Sequence, residues 1–154
     1  MKILALDTSA TVASIAVTED LTPLAVYTLN NKNTHSETLL PMIESALKAL
    51  SLTAEDIELF ALSAGPGSFT GVRIGAATLK GLAFAKERPC VEVSTLEALA
   101  NNLVIKKGLI CPVMNARRSQ VYTALFRSDG KTLERVLPDA AISISELDDI
   151  LAEY

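Results

Sequence analysis

The sequence predicts an α/β fold: one mixed five-stranded sheet with helices on its faces, followed by the start of a second unit of the same kind. Three observations predict it. The first thirty residues hold three apolar or alternating runs separated by turn residues. From Thr34 the apolar period lengthens to helical spacing, and helices then alternate with single strands. The resulting order, βββαβαβα, fills residues 1–103, after which short strands return. An antiparallel meander followed by two βα crossovers makes a mixed sheet covered by helices.

The elements follow in order. Ile3-Leu4-Ala5-Leu6 reads as a buried strand over residues 2–8 that ends at Asp7-Thr8-Ser9. Val12, Ser14, Ala16 and Thr18 alternate, and a tight turn around Ser9–Thr11 makes the two runs a hairpin. Glu19-Asp20 turns the chain into a third strand, Pro23–Leu29. Thr34-His35-Ser36-Glu37 is a capping box, and Leu39, Leu40, Ile43, Ala46, Leu47 and Leu50 continue it as helix 37–50. After a short turn at Thr53–Asp56, Ile57–Ala64 is a strand that runs into Gly65-Pro66-Gly67-Ser68. A helix from Thr70 to Lys86, a strand over Pro89–Val93 and a second capping box at Ser94–Glu97 complete the unit. In the remainder, Leu109–Met114, Gln120–Arg127 and Thr132–Leu137 read as strands, the last two joined by the hairpin signal Asp129-Gly130. Ser145 is the expected cap of a last helix reaching about Tyr154. Residues 1–103 are thus expected as a complete lobe and 104–154 as a partial, truncated second one.

Composition excludes several functions. Of 154 residues 49% are hydrophobic and the mean hydropathy is +0.33, yet the longest apolar stretch, Leu59–Ala85, is broken by Gly65, Pro66, Gly67, Arg73 and Lys80. No run is long enough to span a membrane. The opening MKILALDTS lacks the tripartite pattern of a signal peptide, so a cytoplasmic location is expected. The net charge is −4, carried by residues 1–100 with seven basic and eleven acidic side chains. That excludes a basic nucleic-acid footprint, and 5% aromatic residues are too few for a base-stacking platform. Cys90 and Cys111 lie in apolar, strand-like settings and are expected as buried free thiols. One histidine and two distant cysteines leave no closed zinc site, and no metal ligands are expected.

The candidate site residues form two groups. Asp7 ends the first strand, and Gly65, Gly67 and Ser68 form a glycine loop between a strand and a helix, where free N–H groups favour an anion. The plainer readings are an Asx turn at Asp7 and a tight turn at the loop. The loop is neither a Walker A sequence nor Gly-x-Gly-x-x-Gly. The second group lies on the two long helices, each apolar over a wider arc than one core face needs. Leu39, Met42, Ile43, Ala46 and Leu47 on the first, with Gly71, Ile74, Thr78 and Gly81 on a small-residue face of the second, are the expected partner-binding residues. His35, the single histidine, reads as a capping or hydrogen-bonding residue. No catalytic set can be assembled from the spacing, so no catalytic residues are expected. Arg117-Arg118 can meet a phosphate, a partner's carboxylates, or only solvent. Glu55/Asp56/Glu58 and Asp148/Asp149 read as solvated faces.

Three motifs together carry a resemblance. Ile3–Ser9, His35-Ser36-Glu37 with Leu39-Leu40-Pro41, and Gly65-Pro66-Gly67-Ser68-Phe69-Thr70-Gly71-Val72-Arg73-Ile74-Gly75 are similar to those of the TsaB (YeaZ) family. Asn115-Ala116-Arg117-Arg118 before Val121-Tyr122 resembles that family's Asp-Ala-Arg-Arg segment, with Asn115 in place of Asp. The resemblance implies a two-lobed, actin-like (ribonuclease H-like) fold and a non-catalytic scaffold in tRNA threonylcarbamoyladenosine synthesis. It implies pairing with TsaD through the two long helices, TsaE as a further partner, and homodimers when TsaD is absent. It implies only indirect tRNA contact, no membrane, and no cofactor on this chain, with ATP and metal belonging to partner subunits. TsaD carries a His-x-x-x-His metal pair; here Leu39 stands four residues after His35. The reaction so served moves a threonylcarbamoyl group to the adenosine beside the anticodon of ANN-decoding tRNAs. The alternative is an actin-like ATPase or phosphotransferase that uses Asp7 and the Gly65–Gly71 loop.

Overall fold

A computed structural model describes residues 1–30 and 34–154, which divide into two compact units, Met1–Val93 and Ser94–Tyr154. In the first unit β1 (Lys2–Asp7), β2 (Ala13–Glu19) and β3 (Thr22–Leu29) form the expected meander. Then come α1 (His35–Ala49), a 3-10 turn (Ala54–Asp56), β4 (Leu59–Gly65), α2 (Phe69–Ala85) and β5 (Cys90–Ser94). The sheet order is β3-β2-β1-β4-β5, with β1 antiparallel to β2 and parallel to β4. A parallel β1–β4 pair needs a crossover, and α1 supplies it.

The alternation read over Val12–Thr18 holds in β2, which buries Ala13, Ile15 and Val17, whereas β1, read as a continuously buried run, buries Leu4 and Leu6 and leaves Ile3 and Ala5 half-buried. Leu4, Leu6, Ala13, Ile15, Val17, Phe60 and Leu62 are buried in one core with Leu39, Ile43, Ala46, Leu79 and Ala83 of the helices. Of the two expected capping boxes, Glu37 accepts the Thr34 N–H at 3.1 Å, whereas at Ser94 only the hydroxyl oxygen acts, accepting the Glu97 N–H at 3.2 Å while the Glu97 carboxylate turns to Arg135. Ser68, read from the sequence only as part of the glycine loop, caps α2 by accepting the Gly71 N–H at 3.3 Å. Cys90 departs from expectation. Its whole strand β5 is exposed except for Ser94, so this thiol faces solvent, while Cys111 is half-buried.

The second unit holds α3 (Thr95–Asn101), β6 (Gly108–Ile110), β7 (Val113–Arg117), β8 (Gln120–Ser128), β9 (Leu133–Ser143) and α4 (Ile144–Leu151). The boundary falls ten residues before the expected 103, because Leu96 and Ala100 of α3 bury themselves against Ile110, Ala124 and Phe126. Arg135 ties α3 to β9 through Glu97, at 2.6 Å, and Asp139. The single strand expected over Leu109–Met114 is two, since Pro112 has no N–H to give the ladder. Its carbonyl instead accepts the Thr123 hydroxyl at 3.0 Å. β9 runs on past Leu137 because Pro138 falls in a register shift where no partner needs its N–H. The cap of α4 is therefore Ser143 rather than Ser145. An apolar hollow of about 170 Å³ lies between β8, β9 and α4, with Leu125, Leu137, Ile142, Leu147 and Ile150 in its lining. Among the described residues no helix is long and apolar enough to cross a membrane.

Candidate functional site

Asp7, Thr8 and Ser9 end β1, and the Gly65–Gly71 loop ends β4 beside it. The parallel register of the two strands brings these ends together. Asp7 turns inward on its own chain: its Oδ1 accepts the Ser9 N–H at 2.8 Å and the Ser9 hydroxyl at 2.7 Å. This is the Asx turn of the plainer reading. Thr8 is fully buried, and its hydroxyl donates to the Gly71 carbonyl at 2.8 Å. The Ser68 N–H donates to the Ser9 carbonyl at 2.6 Å.

Three glycines let these segments meet. A Cβ on Gly67 would lie 2.4 Å from the Ser9 carbonyl oxygen, and one on Gly71 would lie 2.0 Å from that of Thr8. One on Gly75 would lie 2.4 Å from Thr8 Oγ1. His35 closes the cluster from the start of α1, with Nε2 2.8 Å from the Ala10 carbonyl. A carbonyl only accepts, so Nε2 carries the proton. The turn and loop thus form a clasp. Two backbone donors that an anion would use, those of Ser68 and Gly71, are engaged within the chain.

The expected partner face needs correction. Leu39, Met42, Ile43, Ala46 and Leu47 are all buried in the chain's own core. The wide apolar arc of α1 is consumed internally, because this helix packs against β2 and β3 on one side and α2 on another. Gly71 is buried in the clasp, and Ile74 and Thr78 are half-buried; only Gly81 of the small-residue face is open, with nothing within 4 Å of an added Cβ.

What lies outside is a different set. On α2, at 100° per residue, Phe69, Arg73, Ala77, Lys80, Gly81 and Phe84 fall on one exposed arc about 120° wide. Phe84 is 88% exposed and Phe69 68%, with the Arg73 guanidinium 3.8 Å above the Phe69 ring. On α1, Leu40 is 47% exposed beside Pro41, Glu44 and Lys48. Leu40 belongs to the wide apolar arc expected of the first helix, whereas Phe69 and Phe84 are not among the residues expected at a partner face. Two phenylalanines sharing an arc with Arg73 and Lys80 were the available signal.

The chain as a whole is similar to known proteins. The family described as TsaD, tRNA N6-adenosine threonylcarbamoyltransferase, matches residues 25–152. The tRNA threonylcarbamoyladenosine biosynthesis protein TsaB of Bacillus subtilis (strain 168) is 39% identical over 153 residues, 99% of this chain and 67% of that protein. The chain belongs to the TsaB (YeaZ) family. YeaZ from Pseudomonas aeruginosa superposes with a TM-score of 0.82 at 30% identity, over 92% of this chain and 67% of that one. The fold is actin-like, and it extends to ethanolamine utilization protein EutJ from Carboxydothermus hydrogenoformans. That match has a TM-score of 0.51 and 15% identity over 99% of this chain and 56% of that one. The chain spans between about half and two thirds of the length of the curated TsaB relatives it matches.

Proposed function

We propose that this chain serves tRNA threonylcarbamoyladenosine synthesis as a non-catalytic scaffold that pairs with TsaD through the exposed face of α1 and α2. The observation that carries the reading is the 39% identity with TsaB of Bacillus subtilis along nearly the whole chain. The helix face supports the pairing. Phe69, Phe84 and Leu40 are large apolar groups left in water, rimmed by Arg73, Glu44 and Lys80. Aromatic and arginine anchors within a polar rim are what protein interfaces select. The same face serves a second copy of the chain when TsaD is absent.

The scaffold role, rather than ATP or phosphoryl chemistry, is supported by the clasp. Asp7 is spent on Ser9, and the Ser68 and Gly71 amides are spent inside the chain. On this reading the chain binds no cofactor, TsaE and tRNA meet the assembly rather than this chain's clasp, and the chain works in the cytoplasm. The test is reconstitution. Modified adenosine is expected only when this chain, TsaD and TsaE of one organism are combined with tRNA and threonylcarbamoyl adenylate. Full product without this chain, or ATP turnover by this chain alone that Asp7→Ala abolishes, contradicts the scaffold role.

A further inference from the structure

The tip of the β7–β8 hairpin breaks a local rule. Arg118 and Ser119 close it with φ of 50° and 60°, and Arg117 before them has φ of 65°. Left-handed backbone at both central residues belongs to the turn that favours Asn-Gly. None of the three positions holds Gly, Asn or Asp, so side chains sit where glycine would relieve strain. Asn115 fixes the approach, its Oδ1 accepting the Arg117 N–H at 2.7 Å. Both arginines are exposed, and among the described residues neither has an ion-pair partner in a chain of eighteen carboxylates. The register sets an apolar residue at the same end of the sheet: Gln120, which ends the turn, pairs with Ser143, and the next residue, Ile144, is 60% exposed.

Strain retained at a solvated tip points to use rather than stability. We propose that the Arg117–Arg118 tip docks the carboxylates of an acidic protein surface, with Ile144 as the apolar contact beside it. Guanidinium forks match carboxylates in pairs. A polynucleotide is the poorer fit, because phosphate binding draws on many cations at once and the tip holds only Arg117 and Arg118. The inference stands apart from the pairing of α1 and α2 with TsaD and uses none of those residues.

The experiment uses the full chain and a fluorescein-labelled decaglutamate peptide as probe, read by anisotropy in low and high salt. Labelled bulk tRNA is the competing probe. R118G and the double variant R117E/R118E should bind the peptide at least tenfold more weakly than the unaltered chain. K106E/K107E, at the opposite end of β8, should bind as the unaltered chain does. The melting temperature of R118G should rise by about 2–4 °C, as expected when left-handed strain is relieved in a chain of this size. Absence of peptide binding, equal binding by R118G, equal loss in K106E/K107E, or tighter binding of tRNA than peptide each overturns the proposal.

Discussion

Gly71→Ala tests the clasp most sharply, because the perturbation is a single methyl group. That methyl would lie 2.0 Å from the Thr8 carbonyl oxygen and 3.3 Å from His35 Cδ2. The near atom is backbone at the end of β1, which is held by ladders to β2 and β4. Reaching an ordinary contact requires a displacement of about 1.4 Å between α2 and β1, well above what rotamer changes absorb. Overpacking of this kind costs about 1–3 kcal/mol. The shift also breaks the buried bond from Thr8 Oγ1 to the Gly71 carbonyl, worth about 1 kcal/mol. Against this stands the gain of up to about 1 kcal/mol for replacing glycine in a helix. The net loss is about 1–3 kcal/mol, a fall in melting temperature of roughly 3–10 °C for a chain of this length. Gly81→Ala is the control on the same helix, with open space around its Cβ, and should raise the melting temperature by about 2–4 °C. Thermal melts followed by circular dichroism at 222 nm compare the three proteins. A Gly71→Ala chain as stable as the parent would refute the close approach of α2 to β1.

Further outcomes follow from the same structure. Leu39→Ala should cost about 2–5 kcal/mol in urea unfolding, while its neighbour Leu40→Ala should cost under about 0.5 kcal/mol; the reverse ranking would return the buried arc of α1 to the surface. Titration of the chain with ATP and Mg²⁺ should show no binding heat that Asp7→Ala removes, since Asp7 serves Ser9. The carboxyls of Asp56, Asp129 and Glu146 are held below their ordinary values by backbone N–H groups of Thr53, of Thr132 and Lys131, and of Ser143. Groups lowered on folding contribute stability in full above their unfolded values and lose it as pH falls through the folded ones. The melting temperature should therefore drop as pH falls below about 4, and less steeply in Asp129→Asn; equal slopes would deny that Asp129 carries part of the loss.

Much of the fold was legible because it is local. The alternation at Val12–Thr18, the capping box at Thr34, the one-sided cap at Ser94 and the Asp129-Gly130 turn each carry their physics within a few residues. The partner face was not legible, because a helical wheel shows how wide an apolar arc is but not how many neighbours share it. α1 meets both the sheet and α2, so Leu39, Met42, Ile43, Ala46 and Leu47 were spent inside. Gly71 was read as room for another molecule. It is room for Thr8, sixty-three positions away, which only the parallel pairing of β1 and β4 brings near. Cys90 looked buried because its strand is apolar, but β5 ends the sheet order and its side chains face solvent. Pro112 splits a run that hydropathy alone makes continuous.

The exposed arc of α2, with Leu40 of α1, is the surface proposed to meet TsaD. Gly81 lies within that arc, and nothing stands within 4 Å of an added Cβ, so Gly81→Trp builds an obstacle there without entering the core. Isothermal titration of TsaD from the same organism with the parent chain and with Gly81→Trp is the direct measurement. Binding by the parent is expected, with at least a hundredfold weaker binding by the variant and melting temperatures that agree within about 2 °C. Unchanged affinity in a folded Gly81→Trp chain would contradict it.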